Sequence, residues 1–521
     1  MDTPRSMSFV EASSQQAPSF VVVSVPVTIG LAIFAVLSVR FVVQRLRRAY
    51  GSSLRHVPGP WHAKFTDVAL RYHDVVGDRF YWLTDLHKRY GPYVRTGPEE
   101  IAISDPAAVK KVHGLGTAFR KQLQPGTAFN IFSVSDPRLH RGRQRFYVNA
   151  FSNEKIKASH LPAVRTLCQH FIDGVREDAS NNPTRAADMY KWCMLFGYDV
   201  ASEVVFGDAS TNGLMAQRKG IEEVMMGCYL QFQNAWMLFS FPTFLVARWL
   251  AHVVPWLGNT FATEKRYKHY KDLWEQTERQ RSIASKTTFV QGAQFDDKEG
   301  KYQLEGGLKM SAYDITRDIT TFLGAGGEPI GATLVYLLYI VLQNTKLRQE
   351  LEAETKALQE PFTDADVEGK CPLLDGTIYE SLRLFGGGLS ILPRYAPTPQ
   401  ELGPYVVPPG TCVASHNHQL HRNPEAWNDP EAFNPRRWMV PGQSKALQTD
   451  VFQPFSSGAR GCIAIHLVMT ELRLFTATFF RELPDITLSD TVTPQSMKVD
   501  DRFHFAPVSK HMEVILPERR S

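Results

Sequence analysis

The sequence predicts a mainly α-helical domain with a smaller β portion, preceded by one transmembrane helix near the N-terminus. Three observations carry this expectation. Apolar residues recur at helical spacing from Ile315 to Glu354 (Ile319, Phe322 and Leu323, then Leu334, Leu337, Leu338 and Val341), which predicts a central helix followed by a second. Short extended stretches punctuated by Gly and Pro, at Val94–Val109 and Pro393–Val413, predict a small sheet. Phe20–Val39 is an uncharged run that, as a helix, reaches roughly 30 Å, the thickness of a bilayer's hydrocarbon core.

From the N-terminus the expected organisation is a short luminal segment (1–19), the transmembrane helix (20–39), a basic and proline-rich linker (40–61) and one large domain (62–521). Arg40, Arg45, Arg47 and Arg48 follow the apolar run, whereas only Asp2, Arg5 and Glu11 precede it. The positive-inside rule therefore puts the N-terminus in the lumen and the remainder in the cytosol. A cleaved signal peptide fits less well, because the run is long, the basic cluster is on the wrong side and no small-x-small site follows. Val57-Pro58-Gly59-Pro60-Trp61 stops the helix and reads as a stiff hinge. Ala235–Ala247 is apolar but too short to span a bilayer; a core helix and an apolar lobe dipping into the membrane face are both open.

With 43% hydrophobic and 21% charged residues the chain has material for an ample core. A net charge of +5, with no stripe of Lys and Arg outside the membrane-proximal region, excludes a dedicated nucleic-acid binder. Cys168, Cys193, Cys228, Cys371, Cys412 and Cys462 lie far apart, which argues against a disulfide framework and for a reducing compartment.

The most informative stretch is Phe455-Ser-Ser-Gly458-Ala-Arg460-Gly-Cys462-Ile-Ala464. A cysteine ligates metal as its thiolate, so neighbours that hold an anion matter most. Gly458 permits a tight turn, and a helix opening near Cys462 would aim unpaired N–H groups at the sulfur. Arg460 offers a planar fork for a carboxylate, and Phe455 an apolar wall.

These residues closely resemble the haem-binding loop of the cytochrome P-450 monooxygenases, with Ala464 where glycine is usual. The resemblance covers about nine tenths of the chain and is nearest to members of filamentous-fungal specialised metabolism. It implies the cytochrome P-450 fold, haem b with Cys462 as axial thiolate, dioxygen, an NADPH-dependent flavoprotein reductase and an apolar small-molecule substrate. It also implies attachment to the endoplasmic reticulum membrane with the catalytic part cytosolic, in contact with lipid. The thiolate would favour O–O cleavage.

Further motifs gain meaning from the resemblance. Glu380 and Arg383 share one helical face, and Phe433-Asn-Pro-Arg-Arg437-Trp438 resembles the segment whose arginine joins such a pair in a buried triad, so Glu380, Arg383 and Arg437 are expected to be structural. Arg394 matches an arginine that contacts a haem propionate. His140 opens a segment ending at Phe151-Ser152 that resembles the propionate-binding helix; Arg143 and Arg145 flank Gln144, and which of them reaches the cofactor stays open. Gly324-Ala-Gly-Gly327-Glu328-Pro329 falls at the oxygen-activation position, with consecutive glycines suggesting an opened groove, Glu328 matching the acidic residue and Pro329 replacing the usual threonine. Substrate contacts are expected within 122–132, 232–241, 386–392 and 503–505.

Three rivals differ in class. Cys412, His416, Cys462 and His466 imitate a zinc set, although their spacing is not that of known fingers. A haem-binding sensor would need no route for substrate. An enzyme of the same fold that rearranges, dehydrates or closes a ring without net monooxygenation is kept open by Pro329.

Overall fold

The computed structural model describes residues 25–121, 130–207, 213–217, 294–296, 301–303, 308–387, 392–439, 450–502 and 504–518. The lobe 235–247 and the expected contacts at 232–241 lie outside them, as do residues 20–24 of the expected transmembrane run. The rest of that run forms the start of helix α1 (Val25–Gly51), which continues through the arginine cluster instead of ending at Val39. Arginine is a good helix former, and the first glycine past the cluster is Gly51. Among the described residues the helix long and apolar enough to cross a membrane is the largely buried central helix, so length and composition do not single out α1.

The proline-rich segment is not a hinge. Fully buried Arg95 donates to the carbonyls of Ala49 (3.4 Å), Leu54 (3.3 Å), Gly97 (3.2 Å) and Pro98 (2.7 Å). Its own N–H donates to the Pro58 carbonyl at 2.7 Å. A Cβ on Gly59 would lie 2.4 Å from the Arg95 oxygen, so glycine is required for the chain to pass so close. The end of α1 is thereby fastened to the sheet.

That sheet has strands β1 (Tyr93–Gly97), β2 (Glu100–Ile103), β3 (Arg120–Lys121), β4 (Leu392–Tyr395) and β5 (Cys412–Ser415), in the order β1-β2-β5-β4-β3. Only the β2–β5 pair is parallel. Both expected extended stretches contribute to this sheet, but 106–109 is helical, and Gln400–Leu402 and Tyr405–Val407 pair with each other in a separate hairpin. Asp105 caps α4 (Pro106–His113) by accepting from the Ala108 N–H, and Pro106 fits the first helical turn.

The core is helical. α8 (Ala312–Gln343) and α9 (Thr345–Lys356) are the expected central pair, packed with α5 (Pro137–Tyr147), α6 (Leu161–Asn181), α7 (Met189–Phe206), α10 (Pro372–Phe385) and α11 (Ile465–Glu482). Between α1 and α4 lie α2 (Val68–Val76) and α3 (Arg79–Tyr90). Ser311 and Asp314 form a capping box at the start of α8. Arg143 of α5 fastens that helix to α8 through Asp318 (2.7 Å) and Asp314 (2.9 Å).

The consecutive glycines of α8 serve a helix crossing. A Cβ on Gly327 would fall 2.6 Å from the Tyr198 ring, one on Gly326 2.8 Å from the Ala201 Cβ, and one on Gly331 2.7 Å from the Met194 sulfur. A Cβ on Gly197 of α7 would in turn meet the Gly327 carbonyl at 2.5 Å. The helices approach closely because these side chains are missing. Gly327 is therefore part of a packed seam, which corrects the expectation of an open groove at this residue.

Candidate active site

Cys462 sits at the floor of a cavity of about 350 Å³ whose opposite wall is α8. The loop below it closes through the Cys462 N–H to the Phe455 carbonyl (2.9 Å) and the Gly461 N–H to the Gly458 carbonyl (3.1 Å). Gly458 has φ +67, and a Cβ there would lie 2.1 Å from the His113 carbonyl at the end of α4. α11 begins three residues beyond Cys462, and the Ala464 N–H points at the sulfur. Cys462 is exposed to the cavity, yet desolvation by the protein around that cavity holds the thiol above its usual range, and Glu471, itself pushed well up by burial, adds to the rise. A bare thiolate is thus disfavoured, and a cation at the sulfur is what would stabilise it.

A group of basic side chains borders the same cavity. Lys121 and Arg394 are directly opposed across β3 and β4, and Arg460 and His140 line the cavity beside them. Like charges opposed across a sheet are destabilising. Burial and Arg460 push Arg394 down to about 10; burial, Arg394 and Arg460 push Lys121 far below its usual range; burial and Arg460 push His140 down to about 3. Among the described residues no carboxylate is a main influence on Lys121, Arg394 or Arg460. One guanidinium nitrogen of Arg460 is buried without a partner, while the other donates to the Val134 carbonyl. The arrangement fits a flat ligand carrying carboxylates at this edge and a metal cation near the sulfur.

The expected triad is assembled. Buried Arg383 donates to Glu380 through Nε (2.9 Å) and Nη2 (2.8 Å), and Arg437 Nε donates at 3.0 Å. Trp438 Nε1 and the Asn434 N–H, both at 2.9 Å, complete the carboxylate's shell. These added bonds offset the desolvation of a buried ion pair, and together with the two guanidinium groups they hold the Glu380 carboxyl below its usual range.

Besides Gly327, two expected site residues lie away from the cavity. Arg145 is exposed and does not border the cavity; Arg143, its rival, is taken up by Asp314 and Asp318. His140 and Gln144, one turn apart, are the positions of α5 that face inward. Glu328 is buried toward α7, accepts from the Tyr198 hydroxyl at 3.1 Å and does not border the cavity, whereas Pro329 does. Of the expected substrate segments, Ile131, Phe132, Gly387 and Leu392 border the cavity, and Phe505 instead packs in the core against Phe80. Residues 122–129, 388–391 and 503 lie outside the described residues.

Sequence reasoning missed Lys121, Gln144, Phe151, Thr321, Ala201 and Val205, all of which line the cavity. The alternation of Thr321, Ala325, Pro329 and Thr333 every fourth residue was a readable signal for one helical face. Among the described residues no cluster of three or more His, Cys, Asp or Glu could hold a metal, so the zinc arrangement is not formed. Cys412 is buried in β5 and points away from such a role.

This fold and cavity define a haem-thiolate oxygenase framework. The sequence profile described as Cytochrome P450 matches residues 60–504, and the chain belongs to that family. It is 55% identical over 388 residues to methylphloroacetophenone oxidase of Cladonia uncialis, covering 74% of this chain and 86% of the relative. It is 34% identical to Cytochrome P450 monooxygenase aflV of Aspergillus parasiticus, covering 89% of this chain and 91% of that one. The retinoic acid bound cyanobacterial CYP120A1 shares the fold with a TM-score of 0.68 at 17% identity, over 88% of this chain and 99% of that chain. The protein is a cytochrome P450 monooxygenase of fungal specialised metabolism, and family membership implies haem with a cysteine thiolate ligand.

Proposed function

We propose that this monooxygenase holds haem b through Cys462, sets the propionates against Arg394, Arg460, Lys121 and His140, and oxidises a polyhydroxylated aromatic ketone of the methylphloroacetophenone type. The observation that carries the cofactor assignment is a cysteine and a group of basic side chains facing one cavity, with no carboxylate acting strongly on them among the described residues. Bound haem supplies dioxygen activation. The chain's own side chains do the rest: Phe151, Phe322, Val205 and Ile330 give an apolar chamber that excludes water and packs an aromatic ring, and the 55% identical relative supports the substrate class. Electrons come from an NADPH-dependent flavoprotein reductase. The N-terminal apolar run anchors the chain in the endoplasmic reticulum with the catalytic part cytosolic, a reading supported by exposed Phe34, Leu37 and Phe41 on α1 and by the arginines after them.

A second reading, oxidation without net oxygen insertion, is favoured by one observation: Pro329 borders the cavity where the family usually places a hydroxyl. The test is turnover of methylphloroacetophenone by the full-length enzyme with reductase and NADPH under isotopically labelled dioxygen. A product carrying one labelled oxygen atom supports the first reading. A product that has lost only two hydrogens supports the second. No product, with normal haem reduction, rejects the substrate class.

A further inference from the structure

One row of α8 faces the cavity: Thr321, Ala325, Pro329 and Thr333, each one turn from the next. Thr321 donates its hydroxyl proton to the Arg317 carbonyl (3.0 Å), and Thr333 donates its own to the Pro329 carbonyl (2.7 Å). A hydroxyl has one proton to give, so what each threonine has left is acceptor capacity. Pro329 has no N–H, so the carbonyl of Ala325 has lost the donor that an α-helix would supply four residues on, and the proline ring crowds that same carbonyl. Ala325 is itself exposed to the cavity. Pro329 is held from the other side by Gly387, where a Cβ would lie 2.7 Å from the proline Cβ.

Three oxygens in a line along this wall can therefore accept, and none of the three groups has a proton left to donate. The remaining neighbours of the row on α8 that face the cavity, Phe322, Gly326 and Ile330, bring no polar side chain. Once a ligand fills the cavity and displaces water from these oxygens, an acceptor left without a donor is costly, and a ligand that supplies one is selected over an isostere that cannot.

We infer that the Thr321–Ala325–Pro329–Thr333 row is an acceptor-only wall that selects substrates presenting a hydroxyl donor toward α8, and that Pro329 is a specificity-determining residue because it opens the Ala325 carbonyl. The inference rests on the aromatic-ketone reading above. It extends that reading by requiring a free hydroxyl on the face turned to the helix. O-alkylated analogues of the same carbon skeleton are then excluded.

The test is equilibrium titration of the haem-loaded full-length protein with methylphloroacetophenone and with its fully O-methylated ether, read by the substrate-induced absorbance shift and by calorimetry. The wild type should bind the phenol about tenfold or more tightly than the ether, the worth of roughly one hydrogen bond. Pro329→Ala restores the N–H without adding a hydroxyl and should narrow the preference to about threefold or less. Thr333→Val, which leaves Pro329 in place, should reduce it by a smaller factor. A preference unchanged in Pro329→Ala, or absent in the wild type although the phenol is turned over, overturns the inference alone. Failure of the wild type to bind either compound overturns the substrate reading and the inference with it.

Discussion

The Gln453 N–H donates to His421 Nε2 at 2.8 Å, and through this contact the buried ion triad is joined to the segment leading into the Cys462 loop. Because Nε2 accepts, Nδ1 carries the proton and donates to the Arg383 carbonyl at 3.0 Å. Gln453 in turn accepts from the Ser457 hydroxyl at 3.1 Å, one residue before Gly458. His421→Leu should leave a buried N–H and a buried carbonyl unpaired and cost about 2–4 kcal/mol. Denaturant unfolding of the haem-loaded protein measures this, and a loss under about 0.5 kcal/mol would show the bridge to be dispensable.

Cys462→Ser should abolish the thiolate-type absorbance of the reduced carbon monoxide complex, while Cys412→Ser retains it. Cys412 is buried in β5, whereas Cys462 is exposed to the cavity. Survival of the thiolate band in the Cys462 variant would move the ligand elsewhere.

Glu328→Gln and Tyr198→Phe should each cost about 1 kcal/mol of stability, as a buried hydrogen bond does, and leave the ratio of product to electrons consumed within about twofold. The geometry behind this is the 3.1 Å bond between them, directed into the α7–α8 seam. A severalfold rise in peroxide release by Glu328→Gln would instead place the carboxyl on the proton path.

Acid should unfold the protein by way of buried histidines. Burial first, then neighbouring cations, pushes His113 down to about 3; burial, only partly offset by the bond to the Arg383 carbonyl, does the same to His421. Both stay neutral in the native state, whereas the unfolded chain protonates them below about 6.5. The unfolded state then binds more protons, so stability falls as pH drops from about 6.5 toward 3, by up to about 1.4 kcal/mol per pH unit for each. Denaturant titrations at several pH values check the slope, and His113→Gln should make it shallower by one such increment.

Removing residues 1–40 should leave haem loading and stability unchanged, whereas removing 1–52 should cost about 1–2 kcal/mol, because Arg95 loses the Ala49 carbonyl and buried Ala49 itself is lost. Thermal unfolding of the two truncated forms separates them. Equal stability would mean that the end of α1 contributes nothing to the body.

Where chemistry and local geometry coincide, the sequence could be read. The Cys462 loop, the Glu380–Arg383 pair and the paired helices α8 and α9 are encoded within short windows, and Arg437 joins the pair from a second short motif that ends at Trp438. What could not be read depends on partners distant in the chain. Gly327 and Glu328 look like site residues until Tyr198 and Gly197, more than a hundred residues earlier, are packed against them. Arg145 fails by a single step of helical rotation, since its neighbour Gln144 faces inward. Lys121 gives no signal at all until β3 pairs with β4 and sets it opposite Arg394.

Arg95 spans the end of α1, the turn after it and the strand junction with one guanidinium, and among the described residues each acceptor of that guanidinium is a main-chain carbonyl. A flexible tether would let the catalytic body swivel; this joint makes α1 a mast. Any tilt of α1 is transmitted to the sheet, and through β4 to the edge of the cavity where Arg394 stands. The direction of α1 and the direction in which the chamber points are thus fixed to one another, whatever the sequence ahead of Arg45.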